Sequence, residues 1–480
     1  MGRHGWNSGA RRWRLTALLG VGVAALALVV TLLNTLPGNG GSTAGTTRDG
    51  DKVHGTPVTP PQTPQPEVGW GFTHTQFSAD EGSDTATERV EGLLEKRPLP
   101  QNQHIMGWGA GNPEPSKGRY DFSGMDRRID FMRKSGGTPT VTLCCSPDWM
   151  KGGKSGDTDW SQSALETAPD RAHYKDFAAL AATVAKRYPD VRHFIVWNEF
   201  KGFWNDSEGR WDYEGYTELY NLVYKALKQV NKDIMVGGPY LVMDSFDPRQ
   251  TQDASTTVKG TWGAMDQRVL DAFAYWNKNK AGADFVVVDG SSYTKDDDLL
   301  PGEFAATDKL TAVGQWVRAQ TRDLPLWWAE YYVEPADGND DRKGWSETHR
   351  VAVQAAGMIA MVKGGASSGF YWNPEEEKGT DCAGCLWTPT DGAAGGGELP
   401  MYDLVSRFSE AFPPGTGYRT VSVATDDVPN VRVLATDKAV LVVNTLDRSR
   451  PHLTQQNTRS LLKDPGWGLS STGTCDGVHL

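Results

Sequence analysis

The stretch that most constrains the fold is His193-Phe-Ile-Val-Trp-Asn-Glu199. Phe194-Ile195-Val196-Trp197 is apolar throughout, short for a helix and continuous enough for a strand buried on both faces of a parallel sheet. The run stops on Asn198 and Glu199, and the loop-forming Lys201-Gly202-Phe203-Trp204-Asn205-Asp206 follows. The same form recurs at Leu326-Trp327-Trp328-Ala329-Glu330, followed by Tyr331-Tyr332. Carboxylates at the ends of buried parallel strands are the groups that a barrel presents at its mouth. Glu199 and Glu330 are therefore read as a catalytic pair.

Six further runs match these two, giving eight predicted strands in all: Val68–Thr73, His104–Trp108, Thr140–Cys145, Phe194–Glu199, Ile234–Tyr240, Phe285–Asp289, Leu326–Glu330 and Ser368–Trp372. Helical patterns lie between them, clearest at Tyr174–Tyr188 and Tyr216–Val230, with His349–Val362 apolar almost all round. Strands alternating with helices argue for an α/β fold with a parallel sheet, and eight such units fit a (β/α)8 TIM barrel. A doubly wound open sheet is the rival, but no G-x-G-x-x-G follows the first strand. The barrel is placed at residues 67–412. Beyond it, Val431–Leu434 and Ala439–Val443 flank Thr436-Asp-Lys438 and read as a hairpin, so 413–450 is taken as a small C-terminal β-domain. Residues 451–480 form a poorly patterned polar tail.

Ahead of the barrel, residues 1–14 carry Arg3, Arg11, Arg12 and Arg14 and no acid. The uncharged run 15–36 is long enough to cross a bilayer as one transmembrane helix, and the basic flank favours a cytoplasmic N-terminus. This reads as a signal anchor that leaves the catalytic domain extracellular on the cell membrane. A cleaved signal peptide, which would give a secreted protein, competes with it. Residues 37–66 are a Pro/Gly/Thr linker. The net charge of −11, with no basic block outside the N-terminus, argues against nucleic acid as a partner. Five cysteines are too few for a disulfide scaffold. Cys144 and Cys145 read as buried thiols facing opposite ways on a strand. The lone Cys382-Ala-Gly-Cys385 reads as a loop-closing disulfide ahead of a zinc site, and Cys475 is left over. No metal and no cofactor is expected.

Two carboxyl groups facing each other across a cleft are what glycoside hydrolysis needs. One protonates the departing oxygen, and the other meets positive charge at the anomeric carbon. In a closed ring of eight, the ends of the fourth and seventh strands lie across the mouth from each other. The eighteen tryptophans supply candidate sugar platforms as well as core.

On these residues the chain resembles the clan A retaining glycoside hydrolases, and most of all glycoside hydrolase family 39, which contains β-xylosidases and exopolysaccharide hydrolases. The likeness rests on Ser146-Pro-Asp-Trp149-Met, Trp197-Asn198-Glu199-Phe200, Gly237-Gly238-Pro239, Tyr293 and Trp372, and spans about residues 67–445. It implies a retaining β-glycosidase acting on poly- or oligosaccharides, with Glu199 as acid/base and Glu330 as nucleophile. It further implies that Asn198 bonds the sugar 2-hydroxyl, that Tyr293 steadies the nucleophile and that Trp372 floors the sugar site. Trp149 and Trp204 are further candidate platforms. Glu199 is expected to have a raised pKa, through Glu330 and burial. Two departures fall in the sugar-binding region: His104-Ile-Met-Gly-Trp-Gly109 lacks the arginine such enzymes carry after strand two, and Asp289-Gly-Ser-Ser-Tyr293 lacks a histidine before the tyrosine. A catalytically inactive carbohydrate-binding barrel, or a transglycosylase using the same residues, is the alternative.

Overall fold

The computed structural model describes residues 65–322, 324–333, 345–372, 374–376, 384–419, 430–446 and 466–470. Eight parallel strands close into a barrel: β1 (Trp70–Thr73), β2 (Gln101–His104), β3 (Pro139–Leu143), β4 (His193–Val196), β5 (Met235–Val242), β6 (Phe285–Ser291), β7 (Leu326–Tyr332) and β8 (Ala366–Trp372). Each strand pairs with its neighbours in sequence, and β8 returns to β1 with Gly369 opposite Trp70. The helices α1 (Asp84–Lys96), α2 (Ser123–Lys134), α3 (Tyr174–Arg187), α4 (Tyr213–Val230), α5 (Gln267–Asn279), α6 (Asp308–Thr321), α7 (Glu347–Lys363) and α8 (Pro400–Ala411) follow the strands in turn. This is the (β/α)8 arrangement that the alternating pattern predicts.

The helices start where their sequences supply caps. Asp212, Asp266 and Ser346 accept from the backbone N–H of Gly215, Arg268 and His349 at 2.9, 3.0 and 3.2 Å, heading α4, α5 and α7. On α3 the apolar stripe Phe177, Leu180, Ala181 and Val184 is buried, the face the period of 3.6 assigns to the core. Almost every residue of α7 from Arg350 to Val362 is buried, because this helix also meets β9 (Val431–Ala435) and β10 (Val440–Asn444). These two strands form an antiparallel pair. A further strand, β11 (Gly466–Ser470), joins β10 from within the tail, where no alternating pattern marks it in the sequence.

Two sets of apolar residues hold the barrel. Phe194, Val196, Val286, Val288, Leu326 and Trp328 lie in the cluster beneath the helices, while Ile195, Phe285, Val287, Trp327, Ala329 and Phe370 form a separate one. The two sets alternate along the strands, so the second set is the barrel interior. Its lower end is met by the chain entering from the linker: Trp327 Nε1 donates to the Pro66 carbonyl at 2.9 Å, and His193 Nε2 lies 2.7 Å from the Gln65 carbonyl.

The second strand is the one whose position differs most from the prediction, at Gln101–His104 rather than His104–Trp108. Its residues are polar, so a search for an apolar run passes over it. The side chains of Gln101, Asn102 and Gln103 are satisfied inside the fold. Asn102 donates to Thr73 Oγ1 at 3.1 Å and accepts from Thr142 Oγ1 at 3.0 Å, and Gln101 donates to Ser135 Oγ at 2.9 Å. Gln103 accepts from the buried Arg128 of α2.

Cys144 and Cys145 are not free thiols pointing apart. They are bonded to each other, with their Cα atoms 3.0 Å apart across a cis peptide that departs from strand geometry directly after β3. Cys385 is disulfide-bonded, while Cys382 and Cys475 lie outside the described residues. The proposed membrane segment 15–36 also lies outside them. No helix among the described residues is long and apolar enough to cross a membrane.

Candidate active site

At the mouth of the barrel the backbone leaves regular strand geometry around the acids and Tyr240. Past β4, Trp197, Glu199 and Phe200 are left-handed, with φ of 67°, 52° and 53°. The Lys201 N–H donates to the Asn198 carbonyl at 3.0 Å, closing a tight turn with Glu199 and Phe200 at its centre. Left-handed non-glycine residues each cost on the order of 1–3 kcal/mol, and such strain persists only where packing over-determines it. Here Trp197 Nε1 donates to the Lys201 carbonyl at 2.9 Å, and the buried Phe200 lies against Tyr216 at 3.9 Å.

Bulges orient the residues on the other strands. Pairing between β5 and β6 runs from Pro239 opposite Val287 to Leu241 opposite Val288, so Tyr240 (φ 55°) is the extra residue and joins the interior cluster. Between β6 and β7 the partners step from Val288 and Trp328 to Asp289 and Glu330, which leaves Ala329 as the extra residue. The outcome is a triangle of acids. One carboxylate oxygen each from Glu199, Asp289 and Glu330 lies within 4.8 Å of the others. Glu330 and Asp289 are 1% and 2% exposed. The Lys201 ammonium lies 3.1 Å from Glu199 Oε2 and 3.7 Å from Glu166. His104 at the end of β2 lies against Trp108 at 4.5 Å with the rings tilted by 35°, and Trp372 at the end of β8 meets both rings edge-on at 6.3 and 6.4 Å.

Among the described residues, several buried polar atoms here make no hydrogen bond of good geometry: Asp289 Oδ1, both ring nitrogens of His104 and Asn198 Oδ1, which interact with each other, and the Tyr240 hydroxyl and Glu330 Oε2, whose side chains likewise interact. Buried polar groups are normally satisfied, and each exception calls for an explanation. Several exceptions gathered at a barrel mouth beside aromatic faces match the hydroxyl-rich surface of a sugar.

Residues 111–339 match the family model described as Glycosyl hydrolases family 39. The matched stretch takes in β3 to β7 of the barrel, and over it the chain is similar to that family. Solved structures with the same fold include a monomeric β-xylosidase from Caulobacter crescentus CB15, at 17% identity and TM-score 0.53, covering 83% of this chain and 80% of that one. A GH39 enzyme from Xanthomonas axonopodis pv. citri matches at 18% identity and TM-score 0.52, covering 82% and 74%. A conserved exported protein from Bacteroides fragilis matches at 13% identity and TM-score 0.54, covering 80% and 88%.

Within this glycoside hydrolase, charge is distributed unevenly over the acids. Burial, then the Glu199 charge, pushes Glu330 well above the usual carboxylate range, while Lys201 pulls the other way. Burial, then Glu330 and Glu199, pushes Asp289 in the same direction. The Lys201 ammonium lies beside Glu199. Burial, reinforced by Lys201, lowers His104 to about 3, so its imidazole is neutral in any ordinary buffer. The spacing of the three acids resembles an oxygen-ligand set, but the opposing charge comes from the chain itself, through Lys201.

A stability prediction follows from Glu330. Its folded-state pKa lies above its unfolded value, which is near 4.3 for a free glutamate. Between these values the unfolded chain has released the proton and the folded chain still holds it. Stability from this group is therefore complete below the unfolded pKa and is lost as pH rises through the folded pKa. Glu330→Gln, which cannot ionise, is expected to melt above the wild type at pH 8, with the gap closing toward pH 4. Melting curves across that range check it, and a variant that melts lower at pH 8 contradicts it.

Of the residues singled out from sequence, Glu199, Glu330, Asn198 and Trp372 converge at the mouth. Tyr293 lies just past β6. It is buried beside Asp289, Asp297 and Asp244, and its carbonyl accepts from the Lys309 ammonium at 2.9 Å. The tyrosine on which the Glu330 charge bears is Tyr240, whose hydroxyl is pushed far upward by burial and then by Glu330. It had a legible signal, since it is the polar residue that ends the fifth apolar run. Trp149 donates to the Glu114 carbonyl at 2.8 Å and has Lys117 over its ring. Trp204 packs edge-on with Trp211 at 5.2 Å, and Arg268 covers its ring at 5.2 Å.

Proposed function

We propose that this barrel is a retaining β-glycosidase that hydrolyses poly- or oligosaccharides, with Glu330 as nucleophile and Glu199 as acid/base. The observation that carries the reading is the approach of the two acids: one oxygen of each lies within 4.8 Å of the other. Double displacement uses carboxyl groups roughly 5–5.5 Å apart, and inversion needs about 6.5–9.5 Å to admit a water. Glu330 and Glu199 interact directly, and the first step runs from the state in which the proton they share lies on Glu199: Glu330 as carboxylate attacks the anomeric carbon, while Glu199 passes that proton to the departing glycosidic oxygen. The sugar–oxygen bond breaks as the sugar–Glu330 ester forms. In the second step Glu199, now a carboxylate, takes a proton from water, the water oxygen attacks the same carbon, and Glu330 leaves. Asn198 and His104 offer hydrogen bonds to sugar hydroxyls, and Trp372 offers an apolar face.

A panel of aryl β-glycosides, with the anomer released first followed by NMR, tests the reading. Early β-anomer supports it, and early α-anomer overturns double displacement. Sugar binding without hydrolysis of any member would make the domain a binding module. Longer oligosaccharides at high substrate would mark transglycosylation by the same residues. Digestion of a diverse glycan panel by the domain from about Glu67, with products read by mass, identifies sugar and linkage.

The uncharged run 15–36 and the arginines before it support a membrane anchor with the barrel outside the cell. The full chain is expected in the membrane fraction, released by detergent but not by high salt. Recovery in the soluble fraction contradicts this.

A further inference from the structure

We propose that Lys201 is a positioning residue that holds the Glu199 carboxyl in place and sets its charge through the catalytic cycle; this rests on the reading of Glu199 as acid/base. The geometry is specific. Lys201 follows Glu199 by two residues, and an ordinary extended chain would place the two side chains on the same face but about two residue rises apart. The Asn198–Lys201 turn, with Glu199 and Phe200 both left-handed, instead brings the Lys201 ammonium to 3.1 Å from Glu199 Oε2. The next residue is held as tightly. Gly202 is left-handed (φ 78°), and a Cβ there would lie 2.1 Å from the backbone nitrogen of Ala168.

Lys201 is also costly to bury, with only 9% of its surface exposed. A buried ammonium needs compensating charge. It has Glu199 on one side, Glu166 at 3.7 Å on the other and the Trp108 ring 5.5 Å from its nitrogen. The groups around Glu199 come from four strands and one loop: Glu330 on β7, Asp289 on β6, Tyr240 on β5, neutral His104 on β2, and Glu166 across Lys201. Glu330, Asp289 and Glu166 are carboxyl groups and Tyr240 is a phenol, and Lys201 is the cation that acts on Glu330 and Asp289 as well. A cation at this distance favours the carboxylate form. It therefore makes Glu199 a stronger acid in the first step, keeps the oxygen oriented after the proton leaves, and limits its basicity in the second.

The test compares wild type, Lys201→Met, Lys201→Arg and the double variant Lys201→Met/Glu166→Gln. The double variant removes one charge of each sign, so it preserves the buried charge balance if the single variant fails to fold. Two readouts are used: the basic limb of the pH profile of kcat/KM on an aryl β-glycoside, and the carboxyl 13C titration of Glu199. Loss of the ammonium is expected to move both upward by about 1–3 pH units, with Lys201→Arg returning them toward wild type. A folded Met variant, single or double, whose Glu199 titration is unmoved overturns the proposal. The NMR readout needs no turnover. Absence of hydrolysis by the wild type would count against the glycosidase reading, while an unmoved Glu199 titration counts against the role of Lys201.

Discussion

Glu330→Ala is expected to lower turnover of every β-glycoside by about 10⁴-fold or more, equivalent to roughly 5.5 kcal/mol of lost transition-state stabilisation. The size follows from what the side chain does under double displacement: without it no glycosyl–enzyme ester forms, and no neighbouring group can replace it in line. Asp289 is the nearest candidate, but it is buried and held toward its neutral form by the same surroundings. Adding azide separates nucleophile from bystander. In the space left by the carboxylate, azide attacks the anomeric carbon from the nucleophile's side, so the product is the α-glycosyl azide. The Lys201–Glu199 pair is untouched by the substitution, so proton delivery to the leaving group remains. Retention of more than a tenth of wild-type turnover, or a β-configured azide product, removes Glu330 from the nucleophile's role. A melting curve of the variant separates lost chemistry from lost fold, since truncating a buried side chain also leaves a cavity.

The sequence discloses the barrel through residues whose neighbours are all apolar. Phe194–Trp197, Phe285–Val288 and Leu326–Ala329 are buried on both faces, so burial alone makes each run continuous. β2 hides because its burial is satisfied by hydrogen bonds among Thr73, Asn102, Thr142 and Ser135, contacts between segments distant in sequence. The acids were legible as strand ends, since a carboxylate closing an apolar run needs a reason to be there. Their companions were not. Tyr240 reaches the site through a bulge, and Lys201 reaches it through a turn that requires left-handed Glu199 and Phe200, conformations that no propensity assigns to those residues. Trp204, half-buried beside the loop that follows Glu199, packs against Trp211 and lies under Arg268, contacts that depend on the fold and were not legible in the sequence.

Glu199→Ala is expected to give a different defect, one that depends on the leaving group. For a poor leaving group such as another sugar, loss of the acid should reduce kcat/KM by about 10²–10⁴-fold, the usual range for general acid–base catalysis. For an aryl glycoside with a strongly acidic phenol, departure needs little protonation, so the first step should stay near wild type. The ester on Glu330 then accumulates because no base activates water, giving a burst of phenol followed by slow turnover. Azide requires no base, and it attacks the ester from the face opposite Glu330. The product is the β-glycosyl azide, the reverse of the outcome with Glu330→Ala. The two variants thus assign the two acids by opposite stereochemistry from one reagent. Removal of Glu199 also leaves the Lys201 ammonium with Glu166 alone as a close partner, so some loss of thermal stability should accompany the kinetic defect. Equal rate losses for good and poor leaving groups, with no burst and no β-azide, would show that Glu199 is not the acid/base.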